Sequence, residues 1–220
     1  MKYRSVFDII GPVMIGPSSS HTAGAARIGR VARKLFGGTP KKADITLYGS
    51  FAETYKGHGT DVALVAGILN FGTDDPRLPQ ALEMAREQGM AVHFEADRET
   101  HPDHPNTVRL RLSNEQNTLE AVGVSIGGGK IEIIEVDGFS ISLTGSNPAL
   151  LVLHRDKYGA VAEAAGLIAK YEMNISYMEV SRHEKGHTAM MVIQTDEEIS
   201  EGLAAEIAAL PNMLQVAVLS

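Results

Sequence analysis

Polar stretches of this chain carry the residue types that move protons and hold anions. The first is Gly16-Pro17-Ser18-Ser19-Ser20-His21-Thr22-Ala23-Gly24, a run of hydroxyls around one histidine. The second, Glu53-Thr54-Tyr55-Lys56-Gly57-His58-Gly59-Thr60-Asp61, sets a glycine-flanked histidine before a hydroxyl and a carboxylate. The third, His101-Pro102-Asp103-His104-Pro105-Asn106, offers further histidines with no apolar reason for either. The ordinary pKa of histidine, about 6.5, suits it to proton transfer near neutrality. Hydroxyls beside the free N–H groups of a helix start make a pocket for an anion. Singly, such a stretch is a polar loop that caps a helix, with Ser20 or Thr22 as the cap in the first case and Thr60 or Asp61 in the second. Recurrence of the same grammar within one chain favours a functional reading.

These loops need elements to position them. A short helix is expected over Ser5–Ile10, stopped by Gly11-Pro12. From Ala23 to Phe36, Ile28, Val31, Ala32, Leu35 and Phe36 recur with helical spacing. Gly37-Gly38-Thr39-Pro40 ends that helix. Further helices are expected over Thr60–Asn70 and Arg77–Gln88, and strands over Ala43–Tyr48, Ala91–Ala96, Thr107–Leu112, Leu119–Ile126, Lys130–Val136 and Phe139–Thr144. Gly127-Gly128-Gly129 lacks the following helix and the lysine–hydroxyl ending of a phosphate loop, and reads as a hairpin turn. Helices precede strands, which favours an α+β fold over a wound parallel sheet. After a linker at Gly145-Ser146-Asn147-Pro148, the order is strand Ala149–His154, helix Tyr158–Tyr171, strands Ile175–Ser181 and Thr188–Thr195, helix Ile199–Leu210 and strand Leu214–Leu219. That βαββαβ order is the ferredoxin-like sandwich. The expected domains are 1–145 and 148–220.

Composition narrows the chemistry. A formal net charge of −7 and a pI of about 5.6 argue against nucleic acid as a partner. With no cysteine in the chain, disulfides are excluded, and so is thiolate ligation of an iron–sulfur cluster by this chain. No apolar run reaches the length of a membrane span, and MKYRSVFDIIGP lacks a signal-peptide core and cleavage site. The expected location is the cytoplasm, with no membrane partner.

The C-terminal unit resembles the ACT domain, a small regulatory fold. The matching residues are Leu153-His154-Arg155-Asp156-Lys157-Tyr158-Gly159-Ala160-Val161, Asn174-Ile175, and Ala189-Met190-Met191-Val192-Ile193-Gln194-Thr195-Asp196. Gly159 lets a ligand carboxylate approach a helix start; Asp156 alternatively caps that helix. The resemblance implies self-association through this domain, with Asp156, Gly159 and Asn174 as candidates for holding an amino-acid effector. Effector binding and dimerisation alone remain equal alternatives.

Over the whole chain, MIGPSSSHTAGAARIG, LYGSFAETYKGHGTDVALVAGIL and SIGGGKIEII resemble the β subunits of bacterial two-subunit, iron–sulfur-dependent L-serine dehydratases (L-serine ammonia-lyases). The resemblance implies a lyase that deaminates L-serine to pyruvate and ammonia. It places a [4Fe–4S] cluster on a separate, cysteine-bearing α subunit. The first domain would be similar to the allosteric substrate-binding domain of some phosphoglycerate dehydrogenases. By motif, Ser18, Ser19, Ser20, His21 and Thr22 would face the α subunit and the substrate. Lys56, His58, Thr60 and Asp61 would form a second wall, and His104 and Asn106 fit a third loop with Pro105 between them. His101 has no clear role. His58 or His21 is the expected base, with a base from the α subunit as the alternative. A non-catalytic, amino-acid-binding regulatory subunit is the rival reading. A mononuclear metal site of His21, His58 and His104 would require all of them to converge in space.

Overall fold

The computed structural model describes residues 12–219. The helix expected over Ser5–Ile10 lies outside them. The chain divides into two compact units, with the break between Asp137 and Gly138.

In the first unit, a π-helical turn, Ser19–Gly24, runs directly into helix α1, Ala25–Phe36. The buried face of α1 is the one the spacing marks: Ile28, Val31, Ala32, Leu35 and Phe36. Gly37 closes it at φ 71°, a left-handed conformation that glycine adopts without strain. Strand β1, Lys42–Tyr48, alternates in burial and points Ala43, Ile45 and Leu47 into the core. A six-residue helix, α2 (Gly49–Thr54), follows at once. Helix α3, Thr60–Ile68, is buried on nearly every side. A 3₁₀ turn at Leu78–Gln80 leads into α4, Ala81–Glu87, where one continuous helix was expected; Pro79 sits in that turn.

The strands of this unit are completed by β2 (Ala91–Asp97), β3 (Asn106–Ser113), β4 (Thr118–Gly127) and β5 (Lys130–Val136). Their spatial order is β2-β1-β3-β4-β5. β1 and β2 pair in parallel, and the other pairings are antiparallel. The α+β reading therefore holds, with one parallel pair created by the helical crossover between β1 and β2. Gly128 and Gly129 form the β4–β5 turn with φ of 63° and 76°, the geometry of a two-residue hairpin.

Helices α1 and α3 cross at backbone contact. A Cβ at Gly29 would lie 2.3 Å from the Leu64 carbonyl oxygen, and one at Gly67 only 2.0 Å from that of Ala26. On its other side α1 lies against β4, where a Cβ at Gly123 would meet Ile28 Cγ2 at 2.6 Å. Glycine at these crossings seats the first turns of α1 on the second half of α3, and the loops that precede the two helices are joined by the bond from the Thr22 hydroxyl to the His58 carbonyl. Of the cationic residues on α1, Arg27 donates to the Gly129 carbonyl at 2.9 Å and Arg30 to Asn70 Oδ1 at 3.3 Å.

The second unit opens with β6, Phe139–Leu143. Then come β7 (Ala149–Arg155), α5 (Ala160–Lys170), β8 (Ile175–Arg182), β9 (Thr188–Thr195), α6 (Glu201–Ala208) and β10 (Met213–Leu219). The order β10-β7-β9-β8, antiparallel throughout, is the βαββαβ sandwich. Its core gathers Leu150, Val152, Ile168, Met191, Ile193 and Leu203. Asp156 does not cap α5. The N-cap is Gly159 at φ 90°, with no side-chain cap, and the Asp156 carboxylate accepts instead from the Gly186 amide at 2.8 Å and from Arg182 at 2.9 Å. The Gly186 amide, then Arg182, hold this carboxyl below its usual pKa. Asn174 is engaged too, donating through Nδ2 to Asp196 at 2.6 Å and through its amide to Glu197 at 2.9 Å.

Candidate active site

The serine loop is built by its own hydrogen bonds. Ser18, in extended conformation, accepts the His21 amide on Oγ at 3.0 Å. Its carbonyl takes the Thr22 amide at 2.9 Å and the Ala23 amide at 3.2 Å, so the first turn is one residue wider than an α-turn. Ser18 is therefore the cap, where Ser20 or Thr22 was expected: the π-turn starts the helical winding earlier. Thr22 is instead 2 % exposed and donates its hydroxyl to the His58 carbonyl at 2.9 Å. Gly24 admits Ser125 from β4. A Cβ there would fall 2.1 Å from Ser125 Oγ, which donates to the Ser20 carbonyl at 2.8 Å. Ser19 is half-buried within the same turn.

The second loop ends differently from its expected capping. Gly59, at φ 64°, occupies the N-cap position of α3, and no side chain caps that helix. Thr60 and Asp61 already lie inside it. Thr60 is 0 % exposed, and Asp61, 7 % exposed, accepts the Val62 amide at 2.9 Å. Lys56 is exposed, its ammonium 5.5 Å from the centre of the Tyr55 ring.

The two loops meet at their histidines. The His21 and His58 rings lie 4.8 Å apart, edge to face at 62°. Phe51 of α2 closes on His21 at 5.3 Å. His21 Nε2 is 3.0 Å from Ser50 Oγ; its Nδ1 is 3.2 Å from Ser20 Oγ and 3.5 Å from Ser18 Oγ. Burial, and then the neighbouring His58, lower the His21 pKa, which favours the uncharged imidazole. The third loop joins the same cluster through one backbone carbonyl and one side-chain amide. The Pro105 carbonyl accepts the Ser50 amide at 2.7 Å, and Asn106 Nδ2 donates to the Ser125 carbonyl at 3.3 Å. His104 turns inward on its own loop, where Nδ1 accepts the Asn106 amide at 3.2 Å. His101 is exposed.

Four buried side-chain atoms lack a hydrogen-bond partner among the described residues: His58 Nδ1, Thr60 Oγ1, Asn106 Oδ1 and His154 Nε2. All but the last belong to the histidine loops. Unpaired buried polar atoms cost about 1–3 kcal/mol each, so a native fold keeps them where something else supplies the partner. Sequence reasoning missed Ser50, Phe51 and Ser125. Ser50 follows a glycine at a strand-to-helix turn too short to show periodicity. Ser125 did carry a signal, as a lone hydroxyl in the apolar run AVGVSI.

The donor set does not fit a metal centre. The chain has no cysteine, and among the described residues no group of three or more His, Cys, Asp or Glu side chains is placed to hold a metal ion. The three-histidine centre is thus not formed, because His104 bonds within its own loop. What the cluster offers is a pair of imidazoles in ring contact, oriented hydroxyls and unpaired buried polar atoms.

Comparison with known proteins agrees with this organisation. Residues 5–135 match the family described as "Serine dehydratase beta chain", and residues 149–212 match the ACT domain. The chain is 54 % identical to a probable L-serine dehydratase, beta chain, of Bacillus subtilis, over 98 % of both chains. It is 34 % identical to the L-serine dehydratase, beta chain, of Peptoniphilus asaccharolyticus, over 92 % of both. A D-3-phosphoglycerate dehydrogenase of Synechocystis is 27 % identical over 83 % of this chain and 33 % of its own length. With residues 5–135 matched by the family and nearly its whole length aligned with such relatives, the chain belongs to the serine dehydratase beta chain family.

Proposed function

We propose that this chain is the β subunit of a two-subunit L-serine dehydratase and supplies half of the active site. The supporting observation is the pairing of His21 and His58 beside unpaired buried polar atoms of their loops. In this reading the hydroxyls of Ser18, Ser19 and Ser20, with the N–H groups of the turn they open, receive the substrate carboxylate, while buried Thr22, expected among them, spends its hydroxyl on tying the loop to the His58 carbonyl. His58 takes the α-proton, and neutral His21 packs against it so that the incoming proton meets no positive neighbour. Asn106 meets the polar groups of serine, with His104 supporting it from behind, and Lys56 lines the outer wall; Thr60 and Asp61, buried in the first turn of α3, back the loop instead of facing the substrate. Loss of the α-proton and of hydroxide from the β-carbon gives 2-aminoacrylate and water. Its imine form then takes up water to give pyruvate and ammonia.

The [4Fe–4S] cluster belongs, in this reading, to a cysteine-bearing α subunit, since the donor set of this chain does not fit it. The chain's own part is to bind, orient and accept a proton. The ACT domain, 148–220, would pair with a second copy, with Asp156, Gly159 and Asn174 at an effector site; residues 1–145 would form the catalytic half, and the cytoplasm would house the assembly. Reconstitution tests the reading. Cluster-loaded α subunit is expected to turn over serine only when this chain is added. Full turnover by α alone would assign the chain to regulation instead.

A further inference from the structure

Ser50 is held with unusual firmness for a residue in a short helix. Gly49, at φ 51°, turns β1 into α2, and a Cβ there would lie 2.6 Å from the Pro105 carbonyl oxygen. The Ser50 amide donates to that oxygen at 2.7 Å, and its own carbonyl accepts the Thr54 hydroxyl at 2.8 Å. The backbone so fixed presents Oγ 3.0 Å from His21 Nε2. On the opposite edge of the ring, Nδ1 faces Ser20 at 3.2 Å and Ser18 at 3.5 Å. Both ring nitrogens meet hydroxyls, each of which can give or take a hydrogen. The direction matters to the loop. If Nδ1 accepts, a serine hydrogen is spent on the imidazole. If Nδ1 carries the hydrogen and donates to Ser20 Oγ, the hydroxyl hydrogens of the loop stay available to an anion. Ser18 Oγ already accepts the His21 amide at 3.0 Å, which leaves its own hydrogen to give away.

We propose that Ser50 is a positioning residue: its hydroxyl donates to Nε2 of neutral His21, holds the ring in the Nδ1–H tautomer, and so turns the hydroxyl hydrogens of Ser18 and Ser20 toward the substrate carboxylate. The proposal rests on the carboxylate-binding role given to the serine loop above. It requires His21 to stay uncharged, and the titratable group acting on it is His58. Hydrogen-bond direction of this kind fixes which imidazole nitrogen is protonated.

The tautomer is read directly by long-range proton–nitrogen NMR of the histidine-labelled chain, with His21→Gln to assign the signals. In the wild-type chain, His21 is expected to carry its hydrogen on Nδ1. In Ser50→Ala it moves to Nε2, and in Ser50→Thr, which keeps the hydroxyl, it returns to Nδ1. In the assembled enzyme, Ser50→Ala raises KM for serine roughly tenfold, the effect of a weakened hydrogen bond to a charged group, more than it lowers kcat; Ser50→Thr restores it. An Nε2–H tautomer in the wild-type chain overturns the proposal, whatever the variants do. So does an Ser50→Ala chain that melts early yet keeps Nδ1–H, which would make Ser50 structural only. If the chain proves dispensable for turnover, the KM arm is lost while the tautomer arm still decides, so the two failures are told apart.

Discussion

Replacing His58 by alanine is expected to lower turnover at saturating serine by about 10²–10⁴-fold, the usual contribution of a positioned general base. The substitution is a clean one. The bond that ties this loop to the serine loop runs from the Thr22 hydroxyl to the His58 backbone carbonyl, which alanine retains. The ring contact with His21 at 4.8 Å is lost, but Phe51 and Ser50 still hold that imidazole. KM should therefore change little while kcat collapses. Steady-state kinetics of the reconstituted enzyme decide the matter. A variant that keeps kcat and shifts only the serine dependence would show that the loop senses substrate and does not transform it.

Gly67→Ala is expected to cost the first unit about 3 kcal/mol or more, at the upper end for overpacking a core. A Cβ at this position lies 2.0 Å from the Ala26 carbonyl oxygen and 2.6 Å from the Arg30 amide nitrogen. Both are backbone atoms, so no rotamer change relieves the clash and the helices must move apart. Thermal melting should fall by on the order of 10 °C. Activity should fall as well, because α1 and α3 begin at the two histidine loops. Gly166→Ala in α5 is the contrast: nothing lies within 4 Å of its Cβ, and helix propensity alone favours alanine there. Equal melting of the Gly67→Ala and wild-type chains would mean the crossing is looser than its geometry implies.

The elements with a long period were legible in the sequence. The stripe from Ile28 to Phe36 predicts the buried face of α1, and Lys130–Val136 and Thr188–Thr195 emerge as strands with the bounds expected from the sequence. The histidine loops were legible as a group because each is punctuated by glycine or proline. What stayed hidden depends on tertiary contact. Helix α2 has six residues, too few to show a period. The π-turn looks like any capped start, since its extra residue is revealed only by which amide reaches the Ser18 carbonyl. The caps of α3 and α5 went to left-handed glycines because Thr60 and Asp156 are used elsewhere, one inside its helix and the other on the β8–β9 turn. Ser50 and Ser125 belong to the cluster through bonds that no local pattern announces.

The serine loop is latched by a hydrogen bond between residues 105 positions apart, Ser125 to Ser20. Seen on the folding timescale, that latch sets an order of events. The β3–β4–β5 meander closes through short hairpins, whereas the latch waits for β1, its crossover and the meander to be in place. The latched serine loop is therefore expected late in folding, when most of the unit has already formed. Pulse-labelled hydrogen exchange should find the His21 and Thr22 amides protected after those of β4 and β5, and early protection of the loop would contradict this order. A nascent chain would thus latch its serine loop only after Ser125 has been made.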